Sequence, residues 1–362
     1  MKESRNSEYV RRTKFLGGRL FVAVLLTMTV FGSAVPSPGW AKGGREALKS
    51  KHFDLSGDAK TLFREAQLRN NTVMQSFAFD NVNGHVYVVQ LMAGGQQLAD
   101  EPAPVSGADR ARNGDLALSK LDLEGNLLGH MFLKGFGHGV QIGVETEGDK
   151  TYLWTETDSV AEGKDGWGTQ LARFTFENGA VLTNESPELE KFRLKENVDR
   201  TTVAIDPAYG LLTMRYRENG SFRFGVYRLE DVKQRRFEPI ADVAQPSLGT
   251  FQGFASYGAY LYLLEGNAYG NNGSEAPLGN TYITSVDLNT GNLVDRQLIT
   301  AGQDVLFREP EGLAVRIPDM RHPHKAELHF GFASTVSAEN TSKLANMFYL
   351  DRLMPVQALK RE

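Results

Sequence analysis

The chain contains no cysteine. That excludes a disulfide framework, thiolate metal sites and a cysteine nucleophile. It has no G-x-x-x-x-G-K-[ST] phosphate loop and no G-x-S-x-G nucleophile elbow, so two common catalytic frameworks are missing. No excess of positive charge is present: 40 Lys and Arg stand against 44 Asp and Glu, a net charge of −4. Tryptophan is scarce, with 3 residues in 362, so each is either a packing anchor or a recognition platform. The most apolar stretch, 20–35, is too short to span a bilayer comfortably.

That stretch has another use. Arg5, Arg11, Arg12, Lys14 and Arg19 precede it, and Gly39-Trp40-Ala41 offers small residues after it. Residues 1–41 therefore read as an export signal, with the general secretory route favoured and the Arg11-Arg12 pair raising the twin-arginine route. An uncleaved signal anchor is the alternative. Removing 1–41 takes away more positive than negative charge and moves the net charge to about −8. An acidic chain is a poor partner for nucleic acid. Secretion, no stable membrane insertion after signal cleavage, and a monomer are the expectations.

What the sequence does have is an internal repeat. A polar residue, a small residue and an apolar residue recur at Gln75-Ser76-Phe77, His138-Gly139-Val140, Thr201-Thr202-Val203, Gln252-Gly253-Phe254 and Glu311-Gly312-Leu313. The spacing is roughly 50–65 residues, too long for a helical solenoid and suited to a four-stranded propeller blade with long loops. After each comes a second apolar run, as in Tyr152-Leu153-Trp154-Thr155-Glu156, and then further strand patterns. Glu124-Gly125-Asn126, Glu177-Asn178-Gly179 and Asn289-Thr290-Gly291-Asn292 lie at equivalent places and supply hairpin turns. Their spacing does not fit a 12-residue calcium loop.

The expected fold is all-β: a five-bladed β-propeller of four-stranded antiparallel blades over 73–362, preceded by a signal peptide (1–41) and an N-terminal segment (42–72). Within that segment, 59–69 is predicted as a short helix with Leu62, Phe63 and Leu68 on one face. Residues 351–362 offer no clear last strand, so 53–55 is predicted to pair there and close the ring. The outer strand of blade three is expected near Phe237.

In a propeller the loops between second and third strands share a rim with the start of each first strand. Here those loops are the long ones, 91–114, 157–168, 266–281 and 333–346, which makes this rim the expected site. Gln75, His138, Thr201, Gln252 and Glu311 would gather near the axis, with Arg200 able to take the place of Thr201. Gln90, Glu156, Arg215 and Glu265, which end the second strands, form another tier. With Gln141 and Trp154, they make a ligand-binding set of donors, carboxylates and arginines suited to a hydroxyl-rich or phosphate-bearing ligand. Each residue also has a plainer reading, as a water-binding lining or a core contact. Trp154 is either inter-blade packing or a sugar platform. His322 and His324 flank a proline with no third ligand beside them, and neither a metal nor another cofactor is expected.

The segment Leu121-Asp122-Leu123-Glu124-Gly125-Asn126-Leu127-Leu128-Gly129-His130-Met131, followed by Gly135-Phe136-Gly137-His138-Gly139 and Gly143-Val144-Glu145, resembles the teichoic acid biosynthesis protein C family of Gram-positive bacteria. It is also similar to the propeller domain of staphylococcal phage receptor-binding proteins. Gln75-Ser76-Phe77-Ala78-Phe79-Asp80, Tyr152-Leu153-Trp154-Thr155-Glu156 and Glu309-Pro310-Glu311-Gly312 fit the same pattern, and the likeness extends over about 73–350. It implies a five-bladed propeller and a link to cell-wall teichoic acid, and carries over no catalytic residue. The export signal, and the lack of stem or tail patterns in this sequence, set an expectation against a virion role.

Three functions are compatible with these residues. One is a secreted, wall-associated protein that binds a glycopolymer, with Arg200 and Arg215 on phosphates and His138 and the glutamines on hydroxyls. The second is a hydrolase. Glu156, Glu265 and Glu311 would then converge as acid and base for glycan cleavage, or His138 would serve phosphodiester cleavage. The third is an envelope scaffold that binds another protein.

Overall fold

The computed structural model describes residues 47–355, so the predicted export signal lies outside the described residues. Inside them, strand after strand is buried along its full length. Tyr260–Glu265 has no exposed position, and His85–Leu91 is nearly as dry. A strand reads this way when both faces of its sheet are covered. Here each sheet is a blade, and its two faces pack on the neighbouring blades.

The first four blades are built in chain order. Blade one comprises Met74–Asp80, His85–Leu91, Leu116–Asp122 and Leu127–Lys134, and blade two Gly143–Glu147, Lys150–Thr157, Gln170–Thr175 and Glu190–Phe192. Blade three comprises Asp199–Asp206, Leu211–Glu218, Ser221–Arg228 and Ala241–Ala244, and blade four Phe251–Tyr257, Tyr260–Glu265, Tyr282–Asp287 and Leu293–Leu298. The outer strand expected near Phe237 is thus Ala241–Ala244, reached after a short helix, Leu229–Lys233. Val181–Thr183 leaves blade two and adds a parallel fifth strand to the edge of blade one.

Blade five consists of Glu309–Arg316, Glu327–Thr335 and Lys343–Leu350, and its outer strand is Lys60–Ala66. The N-terminal segment does close the ring, but through the stretch predicted to be helical. Leu62 and Phe63 suggest a helical face only because the pairing of Lys60–Ala66 is broken twice, between Thr61 and Phe63 and between Phe63 and Ala66. Those shifts destroy the two-residue alternation that marks a strand. The open edge of Lys343–Leu350 and the burial of Phe63 beside Phe77 and Met347 outweigh local helix preference. Phe53, predicted to close the ring, instead pairs with Leu353 in a separate two-stranded ladder outside the blade. Its ring packs on Tyr257 and Tyr262.

In four of the five repeats the polar-small-apolar unit is a β-bulge; in the second, His138-Gly139-Val140 lies ahead of the inner strand, which begins only at Gly143. Register shifts fall between Met74 and Ser76, Asp199 and Thr202, Phe251 and Gly253, and Glu311 and Leu313. A bulge kinks the strand and re-aims a side chain, here at the axial end of four of the inner strands. The small residue is needed because adjacent blades nearly touch there. A Cβ on Gly253 would lie 2.8 Å from Gly312 Cα, and one on Gly312 would lie 2.9 Å from Ser76 Cα. Ser76 continues the ring by donating its hydroxyl to Gly139 O at 2.6 Å. Gly312 also has φ +77°, a region costly for other residues. Gly312→Ala is expected to destabilise the protein by about 2–4 kcal/mol, since backbone strain and a backbone clash act together. Chemical denaturation checks this, and an unchanged midpoint would refute the ring of close contacts.

Candidate functional site

A cavity of about 580 Å³ opens at the axial end of the inner strands. Its lining draws on all five repeats, with Gln75, His138, Arg200, Gln252 and Glu311 among the residues. Arg215 joins them from a second strand. Beside it, a groove of about 450 Å³ between blades five and one shares Gln75, Leu91, Glu309 and Glu311 and adds Lys343.

Beneath the cavity the channel is shut. Only about 10 Å³ remains among residues such as Ile142, Ala204, Ala255 and Leu313, room for about one water. Gln141, expected to contact ligand, is the cross-brace there. Its amide nitrogen donates to Leu313 O and Ile142 O, and its amide oxygen accepts from Phe254 N–H. It is buried with its amide committed, so the structure makes it a tie between blades.

The second tier divides by role. Gln90 donates to Asn70 O and Thr72 O and accepts from Asn70 N–H. Glu156 accepts from Gly139 N–H and Gly168 N–H, both at 2.7 Å. Burial outweighs these donors and pushes its carboxyl up to about 7. Glu265 accepts from Gly249 N–H and pairs with Arg296 at 2.7 Å. None of the three lines the cavity. Each instead fixes backbone that leads into it, so the predicted convergence of Glu156, Glu265 and Glu311 does not occur. Trp154 is also absent from the lining. It is fully buried, packs on Phe192 and donates to Glu145 at 2.9 Å, which resolves it as a core residue. Thr201 is buried and bonds Gln170 O, leaving its neighbour Arg200 at the cavity.

Arg215 behaves differently. Its guanidinium lies between the rings of Phe222 and Phe251, with Cζ 3.6 and 3.9 Å from their centroids. Its Nε donates to Gln245 at 2.8 Å. Its two terminal nitrogens have no partner among the described residues, and no carboxylate is paired with it. Burial, then the proximity of Arg200, lowers its pKa to about 9, with the more distant Glu156 opposing, which still leaves a cation at neutral pH.

A second cationic element stands beside it. Val160–Glu162 and Asp165–Trp167 form a hairpin on the long loop of blade two. Trp167 stacks on His138 at 4.7 Å and 15°, and Arg200 lies 4.1 Å from a Trp167 ring centroid. Glu156 holds Gly139 and Gly168, the residues that follow the two stacked rings. Arg200 has a left-handed backbone, φ +51°, and its Nη2 donates to Glu162 at 2.9 Å. His138 Nδ1, Trp167 Nε1 and Arg200 Nε are buried without a hydrogen-bond partner among the described residues. Burial holds the pKa of His138 below its ordinary value, with Asp165 at 3.7 Å opposing. Its imidazole is therefore neutral at pH 7. Lys164 completes this wall.

The opposite wall is acidic. Burial raises Glu311 well above the usual carboxylate range, and neighbouring Glu309 adds to it. Burial raises Glu309 as well, with Lys343 opposing. Trp167, Lys164, Phe222, Phe251 and Glu309 were not predicted. The hairpin turn Glu162-Gly163-Lys164-Asp165 is the signal that points to Trp167.

Away from this rim, Glu145, Glu147 and Glu230 lie close together, and Lys233 Nζ binds all three. His322 Nδ1 pairs with Asp319 at 2.9 Å. No helix among the described residues is long and apolar enough to cross a membrane.

The structure is thus a five-bladed propeller with a blind axial cavity, framed by long loops and lined by arginines, aromatics and carboxyls. The chain belongs to the phage 5-bladed β-propeller receptor binding platform domain family, whose profile matches residues 73–339. It is 29% identical over 278 residues to the putative major teichoic acid biosynthesis protein C of Bacillus subtilis (strain 168). That match covers 74% of this chain but only 58% of the relative's length. Among solved structures, the tail fiber of Staphylococcus aureus phage P68 superposes with a TM-score of 0.62 at 20% identity, covering 81% of this chain and 52% of that one. This likeness supports the fold.

Proposed function

We propose that the protein is exported and binds a phosphate-bearing cell-wall glycopolymer of the teichoic acid class in its axial cavity, without cleaving it. The observation that carries this reading is Arg215, a buried guanidinium flanked by two phenylalanine rings with its outer nitrogens unpaired at the cavity. A pre-positioned guanidinium is matched to phosphate oxygens. Arg200 and Lys164 lie on the same wall, and Trp167 offers an aromatic surface for a ring or polyol. The family's receptor-binding description and the relative's teichoic acid name agree in direction. Glu156 and Glu265 are committed to backbone N–H groups, which counts against a carboxylate hydrolase.

The test mixes purified protein, residues 42–362, with Gram-positive cell walls and with matched walls stripped of teichoic acid. The walls are then sedimented and the supernatants analysed by mass spectrometry. Retention on intact walls alone, with no released fragments, is expected. Released repeat units would make the protein a hydrolase. Equal retention on stripped walls would remove teichoic acid as the ligand.

A further inference from the structure

The acidic wall of the cavity has no role in holding a phosphate. Glu311 is 6% exposed, lines both the cavity and the adjoining groove, and its carboxyl group makes no hydrogen bond to any described residue. A buried carboxyl without a partner is costly and calls for an explanation. Most buried acids near this rim have one: Glu156 and Glu265 hold backbone N–H groups, and Asp115 holds Arg110. Glu309, on the same strand two residues earlier, faces the same space. Lys343 lines the groove, but its ammonium lies 3.8 Å over the Phe307 ring and forms no ion pair with either glutamate.

Across the cavity stand Arg200, Arg215 and Lys164. Asp165 shares that wall and Glu162 pairs with Arg200, so Arg215 is the arginine there without an ion pair, and neither it nor Lys164 is paired with the carboxyls opposite. We propose that Glu309 and Glu311 form an ammonium subsite and that the ligand is zwitterionic. Its phosphodiester lies against Arg200 and Arg215, and its primary amine lies against the two glutamates. The phosphodiester half rests on the function proposed above. An ammonium carries three donors and can satisfy both carboxyls at once; its charge favours the ionised form that burial disfavours, giving charge-assisted bonds stronger than neutral ones. A calcium ion fits less well, since it takes six to eight oxygens and only two carboxyls are present beside a lysine.

The test uses isothermal titration of the purified protein with three probes that share a phosphodiester. They are sn-glycero-3-phosphoethanolamine, its N-acetyl derivative, which lacks the cation, and glycerophosphoglycerol. The ethanolamine compound is expected to bind about 10-fold more tightly than the other two, as a charge-assisted contact to a desolvated carboxyl provides. In Glu311→Gln that advantage disappears while the two probes without an ammonium keep their affinity, and Glu309→Gln reduces it. Arg215→Met weakens all three.

Equal affinity for all three probes in the unmodified protein overturns the ammonium subsite and leaves the phosphodiester site standing. Binding of none of them overturns both. Stabilisation by calcium chloride that is lost in Glu311→Gln, with no preference for the amine, also overturns the ammonium assignment. Circular dichroism of each variant confirms its fold, and Glu309→Gln keeps the test informative if Glu311→Gln unfolds.

Discussion

Arg215→Met is expected to weaken capture of the wall polymer by about 100-fold or more, the scale of removing one member of a buried charged pair. It is also expected to leave the folded protein at least as stable as the unmodified one. The two effects have the same origin. Arg215 is 5% exposed and hydrogen-bonds no carboxylate, so folding buries a cation against Gln245 and two aromatic faces, with Glu156 attracting it only from beyond ion-pair distance. Desolvation of an ion without a close counter-charge costs several kcal/mol. Cation–π contacts return about 1–2 kcal/mol of that. Methionine keeps much of the side-chain volume between Phe222 and Phe251 and removes the desolvation cost. The melting temperature should therefore hold or rise while polymer binding falls. Arg215→Lys keeps the charge but loses the planar fork, and should bind between the two. Wall sedimentation and thermal unfolding on the same preparations decide it. Binding that survives Arg215→Met would exclude Arg215 as the anion receptor, and a large fall in melting temperature would make it structural.

This behaviour separates what could be read from the sequence from what could not. The five axial positions were legible because the convergence of blades imposes local requirements, namely a small residue where they approach and a polar one beside it, met by a bulge in every repeat but that of His138. Gly253 and Gly312 satisfy sterics set by the next blade, yet they leave a mark on their own strand. The ends of the second strands were legible as positions but not as roles. Gln90, Glu156 and Glu265 turn to backbone at Asn70, Gly139 and Gly249, whereas Arg215 faces the cavity. Nothing local distinguishes them, because the difference depends on which backbone groups each neighbouring loop leaves unpaired. Trp154 and Trp167 show the same limit in reverse. The tryptophan in the clear strand pattern is core, and the one in an irregular loop stands at the site. Its hairpin is kept in place by contacts distant in sequence, including Arg112 Nη1 donating to Gly163 O at 3.0 Å. The loop of blade one that supports it is anchored in turn by Arg110 on Asp115 and Glu101.

The closing strand gives the second large effect. Phe63→Ala is expected to destabilise the protein by about 3–5 kcal/mol, the range for removing a buried aromatic side chain. Phe63 is buried in the cluster that includes Phe77, Val88 and Met347. A Cβ on Gly125, in the outer turn of blade one, would lie 3.0 Å from its ring. The side chain thus joins the last blade to the first as well as filling the core. A chain beginning at residue 67 removes Lys60–Ala66 altogether and leaves Lys343–Leu350 as an unpaired edge, a template for intermolecular pairing. That form is expected to aggregate, and its axial cavity should be lost with the ring. Removing only 47–53 deletes the Phe53–Leu353 ladder but not the outer strand, so it should lower the melting temperature without opening the propeller. Static light scattering and denaturation of the three forms would distinguish the two segments. A monomeric, cooperatively folding chain from residue 67 would show that four complete blades and a three-stranded fifth suffice, and Lys60–Ala66 would then be an accessory strand. If removal of 47–53 instead causes the greater loss, the ladder at Phe53 rather than the strand at Phe63 holds the ring shut.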